Sequence, residues 1–155
     1  MSNIITLTQG VDDMNNFQER LTELLEDNNI SRLKLAKEIN STSTTINGYF
    51  NKDYFPTLEI AIRISKYFNI SLDYLFGLSD NKENTNNNCC PFFENFNSLV
   101  SSSKKSILNT MKEMAFTDAN YYRWKSGLIP KTSNLVTIAK HFGVSLDYLV
   151  GNKKD

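Results

Sequence analysis

The side chains able to do chemistry in this chain are few. There is one histidine, His141, a pair of adjacent cysteines, Cys89 and Cys90, and a cluster of small hydrogen-bonding residues at Thr42, Ser43, Thr44 and Asn47. Adjacent cysteines in a polar segment suit neither a zinc site nor an ordinary structural disulfide, so they read as incidental thiols, with redox sensing the smaller alternative. No Gly-rich phosphate loop, nucleophile motif or metal-ligand cluster accompanies the single histidine. The expectation is therefore no catalysis, no metal and no cofactor. The polar cluster remains, and its chemistry is hydrogen bonding with almost no charge.

The elements that must position that cluster lie in Ser31 to Phe50, SRLKLAKEINSTSTTINGYF. Leu33, Ala36 and Ile39 recur at helical spacing behind Ser31, a residue type that accepts an orphan backbone N–H at a helix start. After a polar turn, Thr42 can cap a second helix with Ile46, Tyr49 and Phe50 inward and Ser43, Thr44 and Asn47 outward. A short helix held by its neighbours and presenting small polar groups is the shape needed to enter a DNA major groove and read base edges.

From Phe17 to Gly77 the chain resembles the Cro and lambda-repressor-like, or XRE, helix-turn-helix family. The resemblance rests on LAKEI at Leu35 to Ile39, Ile46, Pro56 and ISLDYLFG at Ile70 to Gly77. It implies five helices, the second and third forming the DNA-reading unit, in a prokaryotic or phage transcriptional regulator, most often a repressor. It also implies that Ser31 and Arg32 clamp one phosphate at the start of helix two, with Lys52 and Tyr54 holding the other side of the groove. Ser43, Thr44 and Asn47 then face the bases, with the capping Thr42 beside them among the DNA-binding residues, and Asn can pair with adenine N6 and N7.

Composition sets wider limits. A chain of 155 residues with 40% hydrophobic content is one domain or two small ones. Seventeen basic and seventeen acidic residues give zero formal charge, a poor footprint for a protein that grips phosphates indiscriminately. No signal peptide is recognisable and no stretch approaches the roughly 18 apolar residues of a membrane helix, so no membrane role and a cytoplasmic location are expected.

Along the chain, residues 1–13 lack a helical period and read as an N-terminal arm. Asp12 and Asp13 then open a helix with Phe17, Leu21, Leu24 and Leu25 on one stripe and Glu19, Glu23, Glu26 and Asp27 elsewhere. Pro56 and Thr57 open a helix with Ile60, Ile64 and Phe68 inward; Ser71 caps a last short one that Gly77 ends. Residues 14–77 thus form a first helix-turn-helix domain, and the polar residues 78–91 read as a linker.

The pattern then begins again. VSLDYLVG ends at Gly151, 74 residues after Gly77, and Pro130 follows Pro56 at the same offset, whereas Phe92, Phe96, Leu99 and Val100 repeat the first stripe at an offset of 75. One residue has been lost in the connector, where WKSGLIP replaces YFNKDYFP. The expected fold is all-α: two tandem five-helix lambda-repressor-like domains joined by a polar linker, the second, degenerate one spanning 92–151 before a tail at 152–155.

In the second copy Met111 stands for Ala36, Tyr121 for Ile46 and Trp124 for Tyr49. A larger residue where the helices cross requires that copy to open or repack. Its candidate DNA-binding residues are Lys105, Thr117, Asp118, Tyr122, Arg123 and Lys125. Residues 93–151 carry seven basic and four acidic side chains, and residues 17–77 seven and eight, so the copy with the better family sequence has the worse charge. The expected partner is double-stranded operator DNA, palindromic if two equivalent heads bind, read by a homodimer or by one chain acting as a pseudo-dimer. The alternative is a protein-binding inhibitor, antitoxin or antirepressor, or a second domain used for dimerisation or another protein, since a fold does not fix function.

Overall fold

The computed structural model describes residues 2–51 and 55–155, with only the backbone described over 2–11. The described residues form ten helices and no strand. The chain divides into two compact units, Met1–Asn84 and Thr85–Asp155. The first holds α1 (Ser2–Asp27), α2 (Arg32–Glu38), α3 (Ser43–Asn51), α4 (Leu58–Phe68) and α5 (Leu72–Leu75). The second holds α6 (Phe92–Ser102), α7 (Ile107–Glu113), α8 (Asp118–Lys125), α9 (Thr132–Phe142) and α10 (Leu146–Val150). Among the described residues no helix is long and apolar enough to cross a membrane.

Hydroxyl residues start most of these helices. Ser31, Thr42, Thr57 and Ser71 accept the N–H of Lys34, Thr45, Ile60 and Tyr74, and Ser106 and Ser145 do the same for Asn109 and Tyr148. Each such cap stabilises its helix by about 1 kcal/mol. Left-handed residues end the helices. In the first unit they are Asn29, Asn40, Asn69 and Gly77; in the second, Lys104, Ala115, Gly143 and Gly151. The offsets are 75, 75, 74 and 74 residues.

Several expectations need correction. The arm at 1–13 is helical backbone from Ser2 onward, so Asp12 and Asp13 lie inside α1 and do not open it. Asp13 and Met14 are buried beside the Phe17 stripe, and once packing has nucleated a helix its upstream extension adds a hydrogen bond for each residue fixed. In α2 the inward residues are Leu35, Ala36 and Ile39, while Leu33 is 54% exposed. In α4 it is Ala61, Ile64 and Ser65 that are buried, with Ile60 and Phe68 only half covered.

The polar segment 78–91 carries no helix, yet it is not a free tether. Its first part belongs to the leading unit: the Ser71 N–H donates to the Lys82 carbonyl at 2.7 Å, and Asp80 accepts from Arg20 at 2.5 Å. Its last part belongs to the trailing unit. The Asn86 amide donates to the carbonyls of Asp147 and Asn152 at 3.0 and 3.2 Å, and the Lys154 N–H returns a bond to the Asn86 carbonyl. Asn88 and Asn95 bind each other, and Asn95 donates to the Cys90, Tyr148 and Leu149 carbonyls. Asparagine carries a donor and an acceptor that mimic the backbone, so a run of them can satisfy helix ends as well as form turns.

Each unit has its own aromatic core. In the first, Phe17 stacks on Phe76 at 5.4 Å and meets Tyr49 edge-on at 5.6 Å. In the second, the indole of Trp124 is ringed by Phe92, Phe96 and Phe116, all edge-on at 5.3 to 5.7 Å.

Candidate nucleic-acid interface

In the leading unit α2 ends on left-handed Asn40, a residue type that tolerates that backbone, and the Ser41 N–H closes onto the Ala36 carbonyl at 2.8 Å. From α4, the Arg63 guanidinium reaches across and donates to the carbonyls of Ile39 and Asn40, both at 3.2 Å, while Glu59 accepts from it at 2.5 Å. The orphan carbonyls of the turn are thus satisfied by a charged donor from a third helix. This pins the angle at which α3 leaves α2.

On α3, Ile46 and Tyr49 are buried at 0% and 2% exposure, as their spacing predicts. Gly48 is buried on the inner flank. Thr42 serves as the cap, its hydroxyl also 2.8 Å from that of Thr45. Thr44 is exposed and Ser43 and Asn47 are half-exposed, and none of these three side chains forms a hydrogen bond among the described residues. Their donors and acceptors are therefore available to an outside partner.

Ser31 and Arg32 sit at the start of α2, both exposed. The Ser31 oxygen caps Lys34, leaving its O–H to donate. The Arg32 guanidinium lies 3.8 Å above the centre of the Phe50 ring, a cation–π contact that holds it beside the end of α3 with its N–H edges unbonded among the described residues. Lys52 and Tyr54 lie outside the described residues.

At an offset of 75 residues the trailing unit runs through α7, left-handed Ala115 and α8. Thr117 is occupied: its N–H and its hydroxyl both donate to the Asn120 side chain, at 3.2 and 2.6 Å. Asp118, Tyr122, Arg123 and Lys125 are all exposed around α8 and make no ion pair or side-chain hydrogen bond among the described residues. Lys105 is drawn away from that helix, its ammonium 2.8 and 2.9 Å from the two carboxylate oxygens of Glu113. His141 approaches the same carboxylate at 3.4 Å. The Lys105 hydrogen bond, aided by the charges of Lys105 and His141, holds Glu113 below the usual carboxylate range despite some desolvation.

Two residues of this interface escaped the sequence reading. Arg63 was visible only as half of an i,i+4 Glu–Arg pair, and nothing in that spacing tells that the guanidinium turns toward the α2–α3 turn. Phe50, expected inward, is half-buried and serves as the platform for Arg32. Among the described residues no group of His, Cys, Asp and Glu is placed to hold a metal.

A cap, a left-handed turn and a second helix with a free polar face, backed by three further helices, define a helix-turn-helix. A family model described as helix-turn-helix, of the XRE type, matches residues 21–75. The match spans less than half of the chain and supports an XRE-like, DNA-binding helix-turn-helix over that stretch. No curated protein and no solved structure gives a significant match.

Proposed function

We propose that this chain is a sequence-specific transcriptional repressor of prokaryotic or phage type that reads an operator with α3. The observation that carries the reading is the set of unbonded polar groups on Ser43, Thr44 and Asn47, on a helix whose departure is fixed by Arg63. Ser31 and Arg32 flank them, one offering a hydroxyl and the other guanidinium edges to a phosphate. Repression follows if the site overlaps a promoter.

We further read the trailing unit as a degenerate second copy of the same fold, spanning about 92–151. Four left-handed positions recurring at offsets of 75, 75, 74 and 74 support it, because the offset drops by one between Ala115 and Gly143, where the connector is one residue shorter. One chain then presents two DNA-facing heads, as a pseudo-dimer would. The rival, a protein-binding inhibitor or antirepressor, draws on exposed Tyr122 and Asp118.

The test is a gel-shift titration on DNA from upstream of the protein's own coding sequence against an unrelated duplex. Asn47→Ala should relax discrimination by about 1 to 3 kcal/mol, the value of one bidentate base contact. Absence of retardation at micromolar protein in low salt would favour the protein-binding reading.

A further inference from the structure

The formal charge of zero hides a partition. Residues 1–84 carry eight basic and twelve acidic side chains, a net of −4, and residues 85–155 carry nine and five, a net of +4. The pairing of those cations sharpens the difference. In the leading unit Arg20 is bound to Asp80, Arg63 to Glu59 and the turn, and Arg32 is stacked on Phe50, leaving Lys34 and Lys37 exposed with no ion pair among the described residues. In the trailing unit Lys104, Lys112, Arg123, Lys125 and Lys131 are exposed with no ion pair among the described residues.

Two of these cations flank one aromatic on α8, and a third follows in sequence. Trp124 is buried on the inner side of α8, so Arg123 and Lys125 diverge to either side of its outer face, and Tyr122, 65% exposed, stands between that face and solvent. The chain then turns at Gly127 (φ +104°), with the Leu128 N–H on the Arg123 carbonyl at 3.1 Å, and Lys131 follows at the start of α9. At the register of the repeat, Asp118, Ala119 and Tyr122 replace Ser43, Thr44 and Asn47. A methyl and a phenol lack the paired donor and acceptor with which an amide selects adenine. A phenol hydroxyl between unpaired cations can, however, bond and neutralise the phosphates of any duplex sequence.

From this we propose a division of labour, resting on the reading that α3 selects the operator: the trailing unit grips duplex DNA through Arg123, Lys125, Lys131 and Tyr122 without regard to sequence, and supplies affinity that the acidic leading unit lacks. Asp118 opposes this grip and tempers it.

The experiment uses the full chain and two fluorescently labelled duplexes of equal length, one carrying the upstream region and one unrelated, titrated by anisotropy over a salt series. Replacing Arg123, Lys125 and Lys131 by Ala together should weaken both duplexes by the same factor. It should also lower the slope of log K against log salt by about 2 to 3, at about 0.9 per phosphate contact. Between about 50 and 200 mM salt the wild type should then lose about 40-fold more affinity than the variant. Circular dichroism checks that the variant is folded, and Asp118→Asn should tighten both duplexes about equally. An unchanged slope with an intact preference for the upstream duplex overturns the grip and leaves base reading by α3 standing. A reduced slope in a protein showing no preference overturns base reading and leaves the grip. If the triple variant keeps wild-type DNA affinity but loses self-association in sedimentation, the Tyr122 surface, with exposed Leu128 and Ile129 beside it in sequence, is a protein contact and the proposal fails.

Discussion

On the reading that the trailing unit repeats the leading one, the α2–α3 pair and the α7–α8 pair solve one geometric problem with different residues. At the crossing point Ala36 in the first and Met111 in the second are both fully buried, and α7 packs along α8 less extensively than α2 along α3. The first pair is pinned from α4 by Arg63. At the matching place α9 has Thr137, whose hydroxyl donates to its own helix at Ser133. The second pair instead gathers Phe92, Phe96 and Phe116 around Trp124. A small residue plus a charged clamp leaves α3 closely backed with its polar face free, whereas an aromatic hub keeps α8 in place and leaves its outer face to charge.

The comparison breaks most visibly at the hub. Trp124→Ala should cost about 3 to 5 kcal/mol and unfold the trailing unit while the leading one stays helical. Thermal melts followed by circular dichroism should therefore show part of the signal lost and the rest unmoved; a single cooperative loss of all helix would show that the units do not fold separately. Next comes the crossing point: Ala36→Met gives α2 the residue of α7, and overpacking should cost about 1 to 3 kcal/mol and weaken upstream DNA more than unrelated DNA. A variant as stable and as selective as wild type would mean that close approach is not what α3 needs.

Arg63→Ala tests the clamp. Because the side chain is 39% exposed, screening limits the stability loss to about 1 kcal/mol, but discrimination between duplexes should fall several-fold; intact discrimination would reduce Arg63 to a surface ion pair. The smallest effect concerns Glu113. Its folded-state pKa is depressed by Lys105 and His141, so the stabilisation is complete above the unfolded carboxylate value, about 4.3, and is lost as pH falls through the folded one. Acid titration of the melting temperature should show the trailing unit losing this increment, and Glu113→Gln should remove it; identical acid limbs would sink the assignment.

The helices themselves were legible because their signals are local. Ser31, Thr42, Ser71 and Ser145 cap where hydroxyl residues precede apolar periods, and Ile46 and Tyr49 are buried where their spacing puts them. What was misread depends on distant partners. The exposure of Leu33 follows from which side of α2 meets the rest of the unit, and Leu35 fits the stripe equally well in a seven-residue helix. Arg63, Phe50 and Lys105 each find a partner on another element, and side chains with several rotatable bonds announce no direction in sequence. The asparagines of 86–95 illustrate the same limit: their composition speaks of turns, and only the carbonyls they meet reveal a fastening.

That fastening has a practical consequence for taking the molecule apart. Gly151 backs so closely on the Cys90 carbonyl that a Cβ there would come within 2.3 Å of it, and the end of α10 borrows its hydrogen bonds from Asn86, Asn88 and Asn95. A fragment begun at Phe92 would discard two of those three donors and the Cys90 backbone against which Gly151 packs, whereas one begun at Thr85 carries its own clasp. The natural seam for excision, grafting or recombination lies a few residues upstream of where the helices would suggest cutting.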